Sequence, residues 1–157
     1  MIKYRRVVGS KIENYLSVLA ELRLQIFREY PYLYVGTHDY ERDYLQVYVR
    51  SAESMLVLVY DEERIVGALT TIPLADEHAD FKAPFVRHDY DLSRLFYCGE
   101  VILLPEYRGR GLGRRLFAET EKRARELERF DLMCLCTVKR ADNHPRRPLS
   151  YKSLDIF

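Results

Sequence analysis

Apolar residues recur along this chain in more than one rhythm, and each rhythm predicts a different kind of element. Ile12, Leu16, Leu19, Leu22 and Ile26 fall three or four apart, the period of one buried helix face. Ser10 and Glu13 have the spacing of a capping box, so this helix is predicted to start at Ser10 and to end before Pro31. Tyr40, Tyr44 and Tyr48 share a period of four and predict a second helix. Ahead of both, Lys3 to Val8 reads as a short strand. Met55 to Tyr60 and Ile65 to Ile72 are β-branched, apolar runs separated by Asp61-Glu62-Glu63-Arg64, which predicts a hairpin. Leu95 to Leu104 is apolar on both alternating faces, as in a central strand covered on each side.

The stretch from Pro73 to Ser93 mixes histidine, proline and scattered charge and predicts no element. Leu112 to Arg129 predicts a long helix with Leu112, Leu116, Phe117, Thr120, Ala124 and Leu127 facing inward and arginines and glutamates outward. Leu132 to Val138 reads as a further strand, followed by a polar, proline-containing connection and a segment ending at Phe157. The order is strand, two helices, hairpin, strand, helix, strand, helix start. It predicts an α/β (α+β) fold with a mixed, twisted sheet flanked by helices. No repeat, low-complexity tract or linker divides the 157 residues, which are predicted to form one domain.

Composition narrows the function classes. The 25 basic and 24 acidic residues nearly cancel, which argues against a nucleic acid as main partner. No apolar run has the length of a membrane span, and Met1-Ile2-Lys3-Tyr4-Arg5-Arg6 lacks the apolar core of a signal peptide, so a cytoplasmic protein is expected. Cys98, Cys134 and Cys136 lie in apolar runs and are read as buried, reduced thiols. Cys134 and Cys136 have no matching pair, and His38, His78, His88 and His144 form no metal-spaced pair and are read as surface residues. No metal is expected.

The informative segment runs from Glu100 to Arg115. A buried strand stops at Pro105, the chain turns through Gly109, Gly111 and Gly113, and a helix begins. Glycine allows close ligand approach and positive φ. The free N–H groups and dipole of a helix N-terminus favour an anion. Arg108, Arg110, Arg114 and Arg115 surround the same mouth, so a pyrophosphate suits it. A Walker loop needs Lys-Ser/Thr after the last glycine, where Arg114-Arg115 stands. A dinucleotide fingerprint needs two residues between its last two glycines, where Leu112 stands alone. A plain turn from strand into helix normally uses one glycine, not three.

The pattern Arg108-x-x-Gly111-x-Gly113, preceded by Pro105-Glu106-Tyr107, resembles the acyl-CoA loop of the GNAT superfamily of N-acetyltransferases. Phe27-Arg28-Glu29-Tyr30-Pro31-Tyr32-Leu33-Tyr34 and Asn143-His144-Pro145-Arg146-Arg147-Pro148 also look like a bacterial subgroup of it. The resemblance implies acetyl-CoA as cosubstrate, with Arg108, Gly109, Arg110, Gly111, Leu112, Gly113 and Arg114 around the pyrophosphate. It implies that Leu95 to Leu104 and Leu132 to Val138 splay apart to admit the pantetheine arm, with a β-bulge at Gly99. Backbone groups at Leu103 and Leu104 would pair with the arm, a nearby N–H would stabilise the oxyanion, and Asn143 would contact the arm unless it is only a turn former.

The implied reaction is direct attack of an amine on the thioester. Glu100 is the candidate base, expected among apolar side chains, with a structural carboxylate as the other reading. Tyr151 is the candidate proton donor to the leaving thiolate. Tyr30, Tyr32 and Tyr34 fall where the family shapes its acceptor pocket, although thirteen tyrosines leave many for packing. Asp39, Glu41 and Asp43 could draw in a cationic amine, but read first as an exposed polar helix face. The family's closing hairpin is expected to be missing, either truncated or supplied by the partner in a homodimer. The expected function is acetyl transfer to a primary amine of a small molecule or peptide, with no nucleic acid or membrane partner. A non-catalytic acyl-CoA-binding regulatory module is the alternative, and a nucleotide-phosphate enzyme a third reading.

Overall fold

The computed structural model describes residues 1–151. The expectation placed on residues 154–157, the start of a closing segment, lies outside the described residues. Five strands form one mixed sheet in the sequential order β1 (Ile2–Val8), β2 (Met55–Asp61), β3 (Arg64–Pro73), β4 (Leu95–Leu103) and β5 (Leu132–Leu135). The first three junctions are antiparallel and the last is parallel. Four α-helices flank the sheet: α1 (Leu16–Ile26), α2 (His38–Arg50), α3 (Ala79–Arg87) and α4 (Leu112–Glu126).

Alternation along β1 separates the two layers. Arg6 reaches Glu119 and Glu126 at 2.5 and 2.9 Å, and Arg115 lies 4.1 Å over the Tyr4 ring, so the even-numbered side carries α4. Arg5 lies 5.6 Å over Tyr15, so the other side carries the segment that leads into α1. β2 and β3 are covered on both faces, and Met55, Leu56, Val57, Leu58, Val66, Ala68 and Leu69 are fully buried. Among the described residues no helix is long and apolar enough to cross a membrane.

Most predicted elements occur where their periodicity puts them, and the departures have local causes. The capping box does not form. Gly9 takes a φ of 57° and donates to the Ser54 carbonyl at 3.1 Å, turning the chain into a 3-10 segment, Gly9–Tyr15, while Glu13 bonds Gln46 instead. The real α-helix starts at Leu16. α2 does have its own cap, Thr37, whose hydroxyl accepts from the Tyr40 amide at 3.3 Å. α3 fills part of the unassigned stretch. It contains Pro84 and no fully buried residue, and Phe81 and Phe85, four apart and packed against the core, are too short a pattern to mark it in the sequence. α4 ends three residues before the predicted Arg129, where Glu128 turns the chain with a φ of 55°. Phe117 is not on its inner face but 36% exposed.

Candidate functional site

β4 carries the feature that opens the sheet. Leu69 pairs with Val101, whereas Thr71 pairs with Cys98, so Gly99 and Glu100 together oppose Thr70. Two residues against one is a β-bulge, which bends the strand and adds twist. Glycine is required there by close approach, since a Cβ on Gly99 would collide with the Tyr48 hydroxyl and lie 2.7 Å from Thr70 Oγ1. Pairing of β4 with β5 stops at the same point, its last partners being Cys98 and Leu135. The expected strand Leu132 to Val138 is therefore cut short. Residues 136–138 leave the sheet, and a gap opens between them and residues 99–103.

The free edge of β4 presents backbone groups to this gap. The Leu104 amide donates to the Val66 carbonyl on β3 at 2.9 Å, and the Leu104 carbonyl accepts from Tyr107 at 2.9 Å. Both Leu104 groups are thus engaged within the chain, and its expected availability to a ligand does not hold. The Leu103 carbonyl belongs to the same peptide as the Leu104 amide and points the opposite way, into the gap. There it accepts from Arg108 Nε at 3.0 Å, while Arg108 Nη1 pairs with Glu29 at 2.7 Å.

The glycine turn closes one end of the gap. Gly109 and Gly111 take φ of 73° and 77°, in the left-handed region that favours glycine, and Gly111 stands at the N-cap of α4. No side chain caps that helix. The first intrahelical bond is from the Arg115 amide to Gly111 at 3.2 Å, so the amides of Leu112, Gly113 and Arg114 have no acceptor within the helix. A Cβ built on Gly109, Gly111 or Gly113 would meet nothing within 4 Å. The space on the Cβ side of these glycines is therefore open, and Arg110 and Arg114 are exposed on the same turn. Tyr107 anchors the turn from below, its hydroxyl 3.0 Å from Asp61.

The gap widens into a cavity of about 740 Å³ between β4, α1, α2 and the loop joining those helices. Aromatic rings from the loop, from α2, from α3 and from β4 line it, among them Phe27, Tyr32, Tyr34, Tyr44, Phe81 and Tyr97. Arg140 fixes the loop by donating to the Pro31 and Tyr32 carbonyls, each at 2.7 Å. Burial raises the phenols of Tyr32, Tyr44 and Tyr97, and the charge of Glu100 adds to each. Burial and the nearby Glu41 carboxylate push Tyr34 up to about 12. These rings are neutral at ordinary pH.

Glu100 lies on the cavity floor, but not among apolar groups as expected. Its Oε1 accepts from Arg23 and its Oε2 from the Thr70 hydroxyl, all buried, and its amide donates back to Thr70 at 3.0 Å. Arg23 also donates to Glu41, which is 0% exposed, and its guanidinium lies 4.6 Å over Tyr44 and 4.9 Å over Phe27. Burial disfavours its charge, yet Glu100 and Glu41 hold the Arg23 pKa above the ordinary value. Of the three acids expected on an exposed face of α2, Glu41 is instead inside.

The remaining expected residues fall elsewhere. Tyr151 packs edge-on to Tyr30 at 4.7 Å and lines a smaller hollow that shares Glu29, Tyr30 and Arg108 with the aromatic cavity, although Tyr151 itself does not line that cavity. Asn143 is exposed in a turn closed by the His144 amide bonding Ala141 at 3.0 Å. Of the thiols read as buried, Cys98 is buried, Cys134 half-buried and Cys136 exposed. Burial pushes Cys98 up to about 12, which leaves it a protonated, poor nucleophile at neutral pH. His78 is not a plain surface residue: its ring stacks on Tyr44 at 4.9 Å, with Nε2 3.1 Å from the Tyr44 carbonyl.

A strand-to-helix glycine turn, a bulged and splayed central strand and a cavity at the splay together define a recognisable fold and site. The profile of the Acetyltransferase (GNAT) family matches residues 19–152. The chain belongs to that family and is an acetyltransferase. Among curated proteins no sequence relative matches. Solved structures share the fold. A GCN5-related N-acetyltransferase from Ralstonia eutropha JMP134 aligns with a TM-score of 0.60 and 17% identity, over 87% of this chain and 84% of that one. An aminoglycoside N-acetyltransferase in complex with CoA aligns with 0.59 and 14%, over 88% and 78%. An aminoglycoside acetyltransferase from an uncultured soil metagenomic sample, in complex with sisomicin, aligns with 0.55 and 15%, over 98% and 91%. At these identities the likeness establishes the fold.

Proposed function

We propose that this chain transfers the acetyl group of acetyl-CoA to a primary amine of a small molecule or peptide by direct attack on the thioester. The observation that carries the reading is the open, uncapped glycine turn at the start of α4, continuous with the gap between β4 and β5. In this reading the amides of residues 109–114 hold the diphosphate, helped by the helix dipole and by Arg110 and Arg114. The Leu103 amide facing the gap pairs with a pantetheine carbonyl, and the Leu103 carbonyl takes a pantetheine N–H in place of Arg108 Nε.

Acetyl-CoA, when bound, supplies the thioester carbonyl that the amine attacks. An amine with a pKa of about 10 arrives protonated at neutral pH and must lose a proton to react. Glu100 accepts an N–H of the incoming ammonium and draws that proton away. Arg23 and Thr70 fix its two oxygens, so the carboxylate is already aimed before substrate enters. Tyr151, in the hollow beside Arg108, is the proposed proton source for the departing thiolate, and Asn143 the proposed contact for the arm. The C–N bond forms as the C–S bond breaks, the second proton lost from nitrogen replaces the one that Tyr151 gives to sulfur, and the products are an amide, free CoA thiol and the proton taken up by Glu100.

The test is release of CoA thiol on mixing the protein, acetyl-CoA and a primary amine, with calorimetry of CoA, ATP and NAD alongside. The proposal requires amine-dependent thiol release and tighter binding of CoA than of either nucleotide. CoA binding with no release on any amine would leave only an acyl-CoA-binding module. Tighter binding of ATP or NAD would reassign the turn to a nucleotide phosphate.

A further inference from the structure

We infer that the acceptor is a monoamine with a flat aromatic or apolar body, and not a polyamine or an aminosugar. The inference rests on the transferase reading above and deepens it. The cavity wall beyond the β4 edge is made of rings: Phe27, Tyr32, Tyr34, Tyr44, Phe81 and Tyr97. Their arrangement is fixed by packing among themselves and by groups outside the cavity. Phe27 packs on Tyr32 at 4.4 Å, Phe81 on Tyr97 at 5.4 Å and Tyr44 on His78 at 4.9 Å, while Arg140 holds the loop carbonyls. A rigid set of neutral ring faces recognises a flat apolar group at little entropic cost and rewards a nearby cation through the ring quadrupoles.

The charge inventory sets the number of cations. Two carboxylates line the cavity, Glu29 and Glu100, and each already faces an arginine, Arg108 and Arg23 respectively. Behind the floor, Glu41 shares Arg23 with Glu100, so two buried acids stand against one guanidinium. One surplus negative charge remains, and it accommodates one ammonium. A second or third ammonium on the same ligand would be desolvated against rings with no carboxylate to receive it, which is costly. The hydroxyl-rich body of an aminosugar would likewise leave its polar groups against aromatic carbon.

The experiment follows thiol release under steady state with phenethylamine, hexylamine, spermidine and sisomicin as acceptors. The expected result is kcat/KM for phenethylamine roughly 30-fold or more above that for spermidine or sisomicin, from the desolvation of unpaired cations. Phenethylamine should also exceed hexylamine by about 3-fold to 10-fold, the worth of a ring-on-ring contact. In Tyr97→Leu that second ratio should fall toward one, with CoA affinity unchanged. Equal or better turnover of spermidine or sisomicin would overturn the inference while leaving acetyl transfer in place. Thiol release with no amine at all would remove both together. A Tyr97→Leu variant that keeps the aryl preference would show that the rings do not select the acceptor.

Discussion

Replacing Arg23 by methionine tests how the floor of the cavity is held. Methionine keeps much of the apolar stem that packs among Phe27 and Tyr44, so the change isolates the charge. Two buried carboxylates, Glu41 at 0% and Glu100 at 6% exposure, would lose their shared cation. Thr70 would still donate to Glu100, but Glu41 would have lost the guanidinium that donates to it. Breaking a buried ion pair from one side costs about 3–5 kcal/mol, a large share of the 5–15 kcal/mol that typically holds a domain together. For a chain of this size that corresponds to a fall in Tm of roughly 10 °C. Urea titration should show the midpoint moving with the slope unchanged. The deficit should shrink on acidification, because protonation removes the charges that lack a partner. Arg23→Met combined with Glu41→Gln and Glu100→Gln should recover most of the loss. A loss below about 1 kcal/mol, or no recovery in the triple variant, would refute the claim that these groups form one coupled cluster.

Other changes separate binding from chemistry. Gly111→Glu places an anion and a Cβ where φ is 77° and the space is open, so CoA affinity should fall about 100-fold or more by calorimetry while the fold persists, at a cost of about 1–2 kcal/mol for the left-handed backbone. Glu100→Gln should lower kcat about 100-fold with CoA affinity unchanged, measured by thiol release; equal kcat would place the base elsewhere. Glu77 gives a pH test. Burial raises its pKa although the His78 amide lowers it, so the stability it contributes is present below the unfolded-state value and is lost as pH rises through the folded-state value. Glu77→Gln should therefore raise Tm at pH 7 and give no gain near pH 4 by thermal melts.

What the sequence made legible was whatever has a period or a fixed spacing. The hairpin of β2 and β3, the central β4 and the stripe of α4 follow from apolar alternation, and the glycine turn from Arg108-x-x-Gly111-x-Gly113. The capping box at Ser10 failed because Gly9 turns the chain first, a tertiary choice dictated by its bond to Ser54. The buried charge cluster was hidden by its chemistry, since arginine and glutamate read as surface. A signal was nonetheless present. Arg23 stands four residues after Leu19 on the apolar stripe of α1, and Glu41 stands four before Leu45 and seven before Tyr48 on that of α2. A charge at a stripe position on each of two neighbouring helices asks for a partner. Thr70 had no such marker, because its role follows from the bulge at Gly99 and Glu100.

A crystal structure with CoA bound tests the account most directly. The diphosphate should lie against the amides of residues 109–114 and the pantetheine arm should run along residues 99–103 of β4, its thiol end opening on Glu100 and the tyrosine rings. CoA lying elsewhere on the molecule, or a glycine turn whose amides are taken by groups of the protein itself, would contradict it.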